Sequence, residues 1–223
     1  MIKNILFDVD NTLIDSSSSN AIFYKNALEK IGRDTSRYLD VYNAIDFYED
    51  TLNEKNNLYR KEGMLKLINQ KVDEDYPVQL IDEINNAIAK YWISKILVDR
   101  ETIEYLYSKY NLYIFSNWFY DAVYNRLKNI DYLKYFKDIF TSDKVGSKPY
   151  KNAFENVLKT INALPDECMM IGDTIRTDIV GAKNIGMNAT WINLNNKPAI
   201  NMDGVKMISN ISDLNKILWF TFN

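Results

Sequence analysis

From about residue 97 onward, short apolar runs alternate with stretches of helical periodicity, and this alternation constrains the fold more than any other feature of the chain. Helices are expected over 100–110, 150–162 and 176–185, with another after Phe115, and Gly186 closes the last of them. Leu112–Phe115, Ile139–Thr141, Met169–Ile171 and Ala189–Ile192 read as the intervening strands. Such strands are joined by right-handed crossovers, which produces a parallel sheet covered by helices on both faces. Ile2–Val9 is apolar, shows no helical stripe and ends in acids, so it belongs near the middle of the same sheet.

The residues between the first strand and the alternating region have a different texture. Ala21, Tyr24, Ala27, Leu28 and Ile31 recur at helical spacing, with Ser16–Asn20 as cap candidates before them and Gly32 after them. Two more helical stretches precede Pro77, and a long one follows it through Leu80, Ile81, Ile84, Ala87, Ile88, Tyr91 and Trp92. No strand pattern stands out. The expected architecture is therefore α/β, with a catalytic core formed by residues 1–15 and 97–223 and a helical cap domain inserted at 16–96.

Composition removes several classes of function. With 27 basic against 30 acidic residues and a net charge of −3, the chain has no overall basic field to attract a nucleic-acid backbone. The apolar run before Asp8 is too short for a signal-peptide core, and no stretch approaches the ~20 apolar residues of a membrane span. Cys168 is the single cysteine and lies in an apolar run, which fits a reducing, cytoplasmic location. Histidine is absent, so no Ser-His or Cys-His pair is available. The chemistry falls to carboxylates, hydroxyls, lysines or a metal.

Ligand sites in parallel α/β sheets gather at the carboxyl ends of the strands. There the sequence supplies Asp8, Asp10 and Thr12 after the first strand, Ser116 and Asn117 after the second, Lys148 near the third, and Asp173 and Asp178 after the fourth. Asp8 and Asp10 are two positions apart, so both side chains are expected on one side of the strand until the chain turns. With Asp173 they form a set of hard oxygen ligands suited to Mg²⁺, leaving Lys148, Ser116 and backbone amides for a phosphate group. Taken singly, each has an ordinary reading: Asp-x-Asp as turn chemistry, Ser116-Asn117 as a helix cap, Lys148 as a solvated lysine, Asp178 as an acid at a helix N-terminus. Their joint order and position carry the functional reading.

Phe7-Asp8-Val9-Asp10-Asn11-Thr12-Leu13, Phe115-Ser116-Asn117, Lys148-Pro149 and Ile171-Gly172-Asp173, with Asp178 five residues on, match in order the four motifs of the haloacid dehalogenase superfamily, which the chain resembles. The run Asp178–Met187 is similar to that family's continuation, and the insertion resembles its first type of cap. The resemblance implies a Rossmann-like core and a phosphatase with Mg²⁺ as cofactor. It implies that Asp8 is the nucleophile and a metal ligand, and that Asp10 is the general acid and base, its backbone carbonyl on the metal. It also implies that Thr12, Ser116 and Asn117 serve the phosphate site, that Lys148 neutralises Asp8 and the phosphoryl group, that Asp173 binds the metal, and that Asp178 orients the metal's water or Lys148. Tyr150, Trp118 and Phe119 depart from the usual pattern and bear on substrate shape.

Three other readings compete. A 2-haloacid dehalogenase shares the aspartate nucleophile, but Asp10 argues against it because carbon–halogen cleavage has no leaving oxygen to protonate. A phosphosugar mutase returns the phosphoryl group to a sugar, and a non-catalytic binding protein retains the fold alone. The expected substrate is a small phosphorylated metabolite: a nucleoside monophosphate, a sugar phosphate or a phosphoglycolate-like acid. The cap would choose among them, with Arg60 and Lys61 as candidates facing the site.

Overall fold

The protein is described by a computed structural model over residues 1–16, 21–91, 95–199, 201–210 and 213–214. Its centre is strand β1, Asn4–Phe7, whose four residues are all buried. Ile5, Leu6 and Phe7 lose all contact with water, at roughly 1.5–3 kcal/mol of stabilisation each. β1 pairs in parallel with β4 (Asn111–Ser116) on one side and with β6 (Cys168–Gly172) on the other. β5 (Asp138–Thr141) flanks β4, and β7 (Asn188–Ile192) and β8 (Val205–Ile208) extend the other edge, giving the order β5-β4-β1-β6-β7-β8. All five pairings are parallel. β8 was not legible as a strand.

Apolar side chains cover both faces of this sheet. Ile5 and Phe7 belong to a core cluster that continues into the helical insertion, whereas Leu6 packs on the opposite face with Phe115, Phe154 and Trp191. Crossovers run through α5 (Arg100–Lys109), α6 (Tyr120–Asn129) and α7 (Lys151–Ile161). Asp99 caps α5 by accepting from Thr102 N at 2.7 Å. The helix expected over 176–185 is a π-helical turn, Ile175–Val180, followed by the short α8, Gly181–Lys183.

The insertion contains α1 (Ala21–Lys30), α2 (Tyr38–Asp50), α3 (Lys61–Val72) and α4 (Gln79–Tyr91), and among the described residues it adds nothing to the six-stranded sheet. The capping expected of Ser17–Asn20 lies outside the described residues. Where the chain leaves and re-enters the core, β2 (Ile14–Asp15) and β3 (Lys95–Ile96) form an antiparallel pair, with Ile14 opposite Ile96 and Asp15 opposite Lys95. Lys95 and Ile96 thus form a strand inside a span read as helical throughout. Two residues are too few to show a period.

A second junction ties the insertion to the core. Ser147 donates to Asn57 O through its N (3.0 Å) and its Oγ (2.9 Å), and Tyr59 N donates to Ser142 O at 3.0 Å. Tyr150 donates its hydroxyl to Leu52 O. Glu54 accepts from Lys151 N and Asn152 N, so the first turn of α7 is capped by a side chain from the insertion.

Candidate active site

Because β1 is central, the residue after it emerges among the ends of its neighbours, and there Asp8 stands 8% exposed. Lys148 Nζ lies 2.8 Å from Asp8 Oδ1 and 2.6 Å from Asp178 Oδ1, with its side chain nearly sealed from water. Carboxylate oxygens of Asp8, Asp173 and Asp178 all fall within 4.8 Å of one another. Asp178 is fixed further by Thr174 N, which donates to its Oδ2 at 3.0 Å. The Asp178 carboxylate folds over the end of β6, where a Cβ on Gly172 would stand 2.2 Å from its Oδ2, so only glycine fits.

Crowding of these acids shows in their protonation. Burial raises the Asp8 carboxyl well above the usual range, although Lys148 opposes the shift. Burial, followed by the charge of Asp178, pushes Asp173 up to about 6. Burial works against the charge on Lys148, but Asp178 and Asp8 outweigh it and raise its pKa. Three carboxylates against one ammonium leave an excess of two negative charges, which a divalent cation would balance. The donors are hard oxygens, so the set fits Mg²⁺; Lys148 bridges Asp8 and Asp178, and Thr174 N holds the other oxygen of Asp178.

Asp10 has partners of its own. After Phe7 the chain turns through Asn11, whose φ is 54°, and Leu13 N and Ile14 N both return to Val9 O. The Asp10 carboxylate is not part of the acidic trio, although its charge still bears on Asp8 and Asp173. It pairs instead with Arg126 Nη2 at 2.8 Å and accepts from the Ser16 hydroxyl. Arg126 also donates to Ser16 Oγ at 3.1 Å. Arg126 had no place in the sequence reading, since an arginine on a helix reads as solvated. The available signal was its register: Ala122, Val123, Arg126 and Leu127 form one buried face of α6.

Asn117 holds the backbone of Lys148 from both sides, accepting from Lys148 N and donating to Lys148 O, each at 2.8 Å. Ser116 closes β4 and is buried. Thr12 is also buried, and its Oγ1 has no hydrogen-bond partner among the described residues. Arg60 is exposed and Lys61 pairs with Asp82 at 2.6 Å and Asp121 at 3.6 Å. Neither lines the cavity beside Asp10, which is walled by other residues of the insertion.

A carboxylate at the end of the central strand, held against a buried lysine, sits on a Rossmann-like α/β core. The chain belongs to the haloacid dehalogenase-like hydrolases, a family that matches it over residues 5–192. It is 28% identical over 228 residues to the glyceraldehyde 3-phosphate phosphatase of Methanothermobacter thermautotrophicus, covering 98% of this chain and 100% of that protein. The Pyrococcus furiosus protein of the same name is 27% identical over 199 residues, covering 85% and 80%. Among solved structures, the magnesium-bound HAD-hydrolase YfnB of Bacillus subtilis superposes with a TM-score of 0.72 at 22% identity, over 97% of this chain and 98% of that one.

Proposed function

We propose that the protein is a Mg²⁺-dependent phosphomonoester hydrolase that acts on a small phosphorylated metabolite through a phospho-aspartate on Asp8. The observation that carries this reading is the cluster of Asp8, Asp173 and Asp178 within 4.8 Å around Lys148. An anionic nucleophile meets an anionic phosphate only where cations stand between them, and Lys148 supplies one on the Asp8 side. Mg²⁺, held by Asp8, Asp173 and the backbone carbonyl of Asp10, would supply electrostatic stabilisation of the phosphoryl oxygens.

An Asp8 oxygen attacks phosphorus as the bond from phosphorus to the ester oxygen breaks, and Asp10 gives its proton to that oxygen. Arg126 at 2.8 Å then stabilises the resulting Asp10 carboxylate. In the second half, Asp10 takes a proton from water as that water attacks phosphorus, releasing phosphate and restoring Asp8. Ser116, Thr12, Asn117 and Lys148 serve the phosphate site, Asn117 by holding the Lys148 backbone, and Asp178 orients Lys148.

The named relatives are phosphatases of a three-carbon sugar phosphate, which supports a small phosphorylated substrate. The two-part division, with core residues 1–15 and 97–223 carrying the chemistry and a cap at 16–96 choosing the substrate, belongs to the same reading. So does a cytoplasmic location: Cys168 is buried and free, and burial pushes its thiol up to about 11. Among the described residues no helix is long and apolar enough to cross a membrane. The deciding experiment is hydrolysis of p-nitrophenyl phosphate with Mg²⁺ and with excess EDTA, together with rapid-quench capture of a phosphorylated Asp8. Full activity in EDTA would overturn the Mg²⁺ requirement, and inactivity on the phosphate ester with and without Mg²⁺ would revive the dehalogenase reading.

A further inference from the structure

In the proposed mechanism the alcohol half of the ester departs toward Asp10, and a cavity of about 200 Å³ opens there. Asp10 and Trp118 contribute to its wall from the sheet side, and Tyr24, Tyr42, Asp46 and Glu49 from α1 and α2. Two carboxylates flank it, and that of Glu49 is held in place. Tyr59 donates its hydroxyl to Glu49, and the Tyr42 hydroxyl lies in the field of Asp46. A carboxylate has about four lone-pair sites, so each acid is able to accept from a ligand.

The charge of this wall is one-sided. Among the described residues no lysine or arginine lines the cavity, and Arg126, which lies against one of its wall residues, is paired there with Asp10. A charge of opposite sign acting on Glu49 comes from Arg176, an exposed residue of the π-helical turn outside the lining. Glu49 is exposed as a residue, but partial desolvation of its carboxyl raises it, with the Tyr59 hydrogen bond opposing the shift and the Asp46 charge adding to it. The positive charge of Lys148 is committed to Asp8 and Asp178 on the phosphate side.

Resting on the phosphatase reading, we infer that this cavity takes the alcohol half of the ester as an uncharged or cationic group bearing hydroxyl or amine donors, and turns away an alcohol that carries a second anion. Such donors meet Asp46, Glu49 and the tyrosine hydroxyls, while carbon faces meet Tyr24 and Trp118. A carboxylate in the same space would lie beside two carboxylates, with no cation lining the wall among the described residues. At roughly 30 Å³ per water, the cavity holds the equivalent of about seven waters, the scale of a small polyol or amino alcohol. Among the three substrate classes, the phosphoglycolate-like acids are thereby set aside and small sugar phosphates favoured.

The test compares glycerol 3-phosphate with 3-phosphoglycerate, two esters of similar size that differ by a carboxylate, on the wild-type protein with Mg²⁺ and on the variant Asp46→Asn with Glu49→Gln. Wild type is expected to favour glycerol 3-phosphate in kcat/KM by at least about tenfold, and the variant to lose most of that preference through a gain on 3-phosphoglycerate. The single variant Asp46→Asn, changed at an exposed position, repeats the comparison should the double variant unfold. A wild-type preference for the carboxylated ester, or an unchanged ratio in the folded variants, would overturn the inference alone. Inactivity of wild type on every phosphate ester, p-nitrophenyl phosphate included, would instead overturn the phosphatase reading beneath it.

Discussion

Arg126 Nη2 stands 2.8 Å from Asp10 Oδ1, and it comes from a helix that begins more than a hundred residues later in the chain. The arginine side chain is 1% exposed and the aspartate 27%, so a buried cation faces a carboxylate at the edge of water. Arg126→Met keeps most of the volume and removes the charge. It is expected to cost about 1–3 kcal/mol of stability and to slow alkyl phosphate esters more than p-nitrophenyl phosphate, whose leaving group needs no proton. Thermal unfolding and a leaving-group series check this; an equal loss across the series would reduce Arg126 to a packing role.

Asp8→Asn is expected to lower turnover by at least about a thousandfold while the protein stays folded, because the amide lacks the attacking anion but has nearly the same shape. Steady-state rates and circular dichroism measure the two halves of the statement. Near wild-type turnover in a folded variant would end the nucleophile assignment.

Lys148→Met should be among the most destabilising single changes in the core. It leaves Asp8 and Asp178 buried without their common partner, a loss of about 3–5 kcal/mol for a broken buried pair. Mg²⁺ should restore part of it, since the cation offsets the same charges. Denaturant titrations with and without Mg²⁺ give both numbers, and a stable variant insensitive to Mg²⁺ would contradict the electrostatic account.

Asp173 sets a pH window. Its carboxyl is pushed up to about 6 by burial and by Asp178, above its value in an unfolded chain, so the metal-free folded protein holds a proton there that the unfolded chain has lost. Its contribution therefore turns against folding as pH rises from about 4 through 6. Asp8, facing the same space, shifts in the same direction, and Lys148, Asp178 and Asp10 are the other charges around them. Metal binding needs the ionised carboxylates, so the gain in Tm from Mg²⁺ over EDTA should be larger at about pH 7 than at about pH 5. An equal gain at both would count against Asp173 as a ligand.

How far the sequence could be read depended on the length scale of each signal. Five strands of the sheet announced themselves as apolar runs, because a strand buried on both faces has no polar alternation to obscure it. β8 did not, since Val205-Lys206-Met207-Ile208 sits at the edge with Met207 exposed and a lysine inside it. The spacing of Asp8 and Asp10 suggested side chains sharing one side of a strand, but the strand ends at Phe7 and the turn at Asn11 sends the two acids to different partners. Lys61 drew notice as a charge in the insertion, yet it is engaged by Asp82 and Asp121. The acids Asp46 and Glu49, which do line the cavity, are ordinary residues on the polar side of an amphipathic helix until α2 is placed over the strand ends.

Glu54 gives the insertion a standing that its place in the sequence conceals. Tyr150 offers α7 no side-chain cap of its own, and the acceptors for Lys151 N and Asn152 N arrive from about a hundred residues earlier. The four helices are therefore not a cassette that can be excised or exchanged at its two crossing points alone. A chimaera carrying another relative's insertion must also reproduce a carboxylate at the position of Glu54, or bring its own replacement for Tyr150, before α7 starts properly.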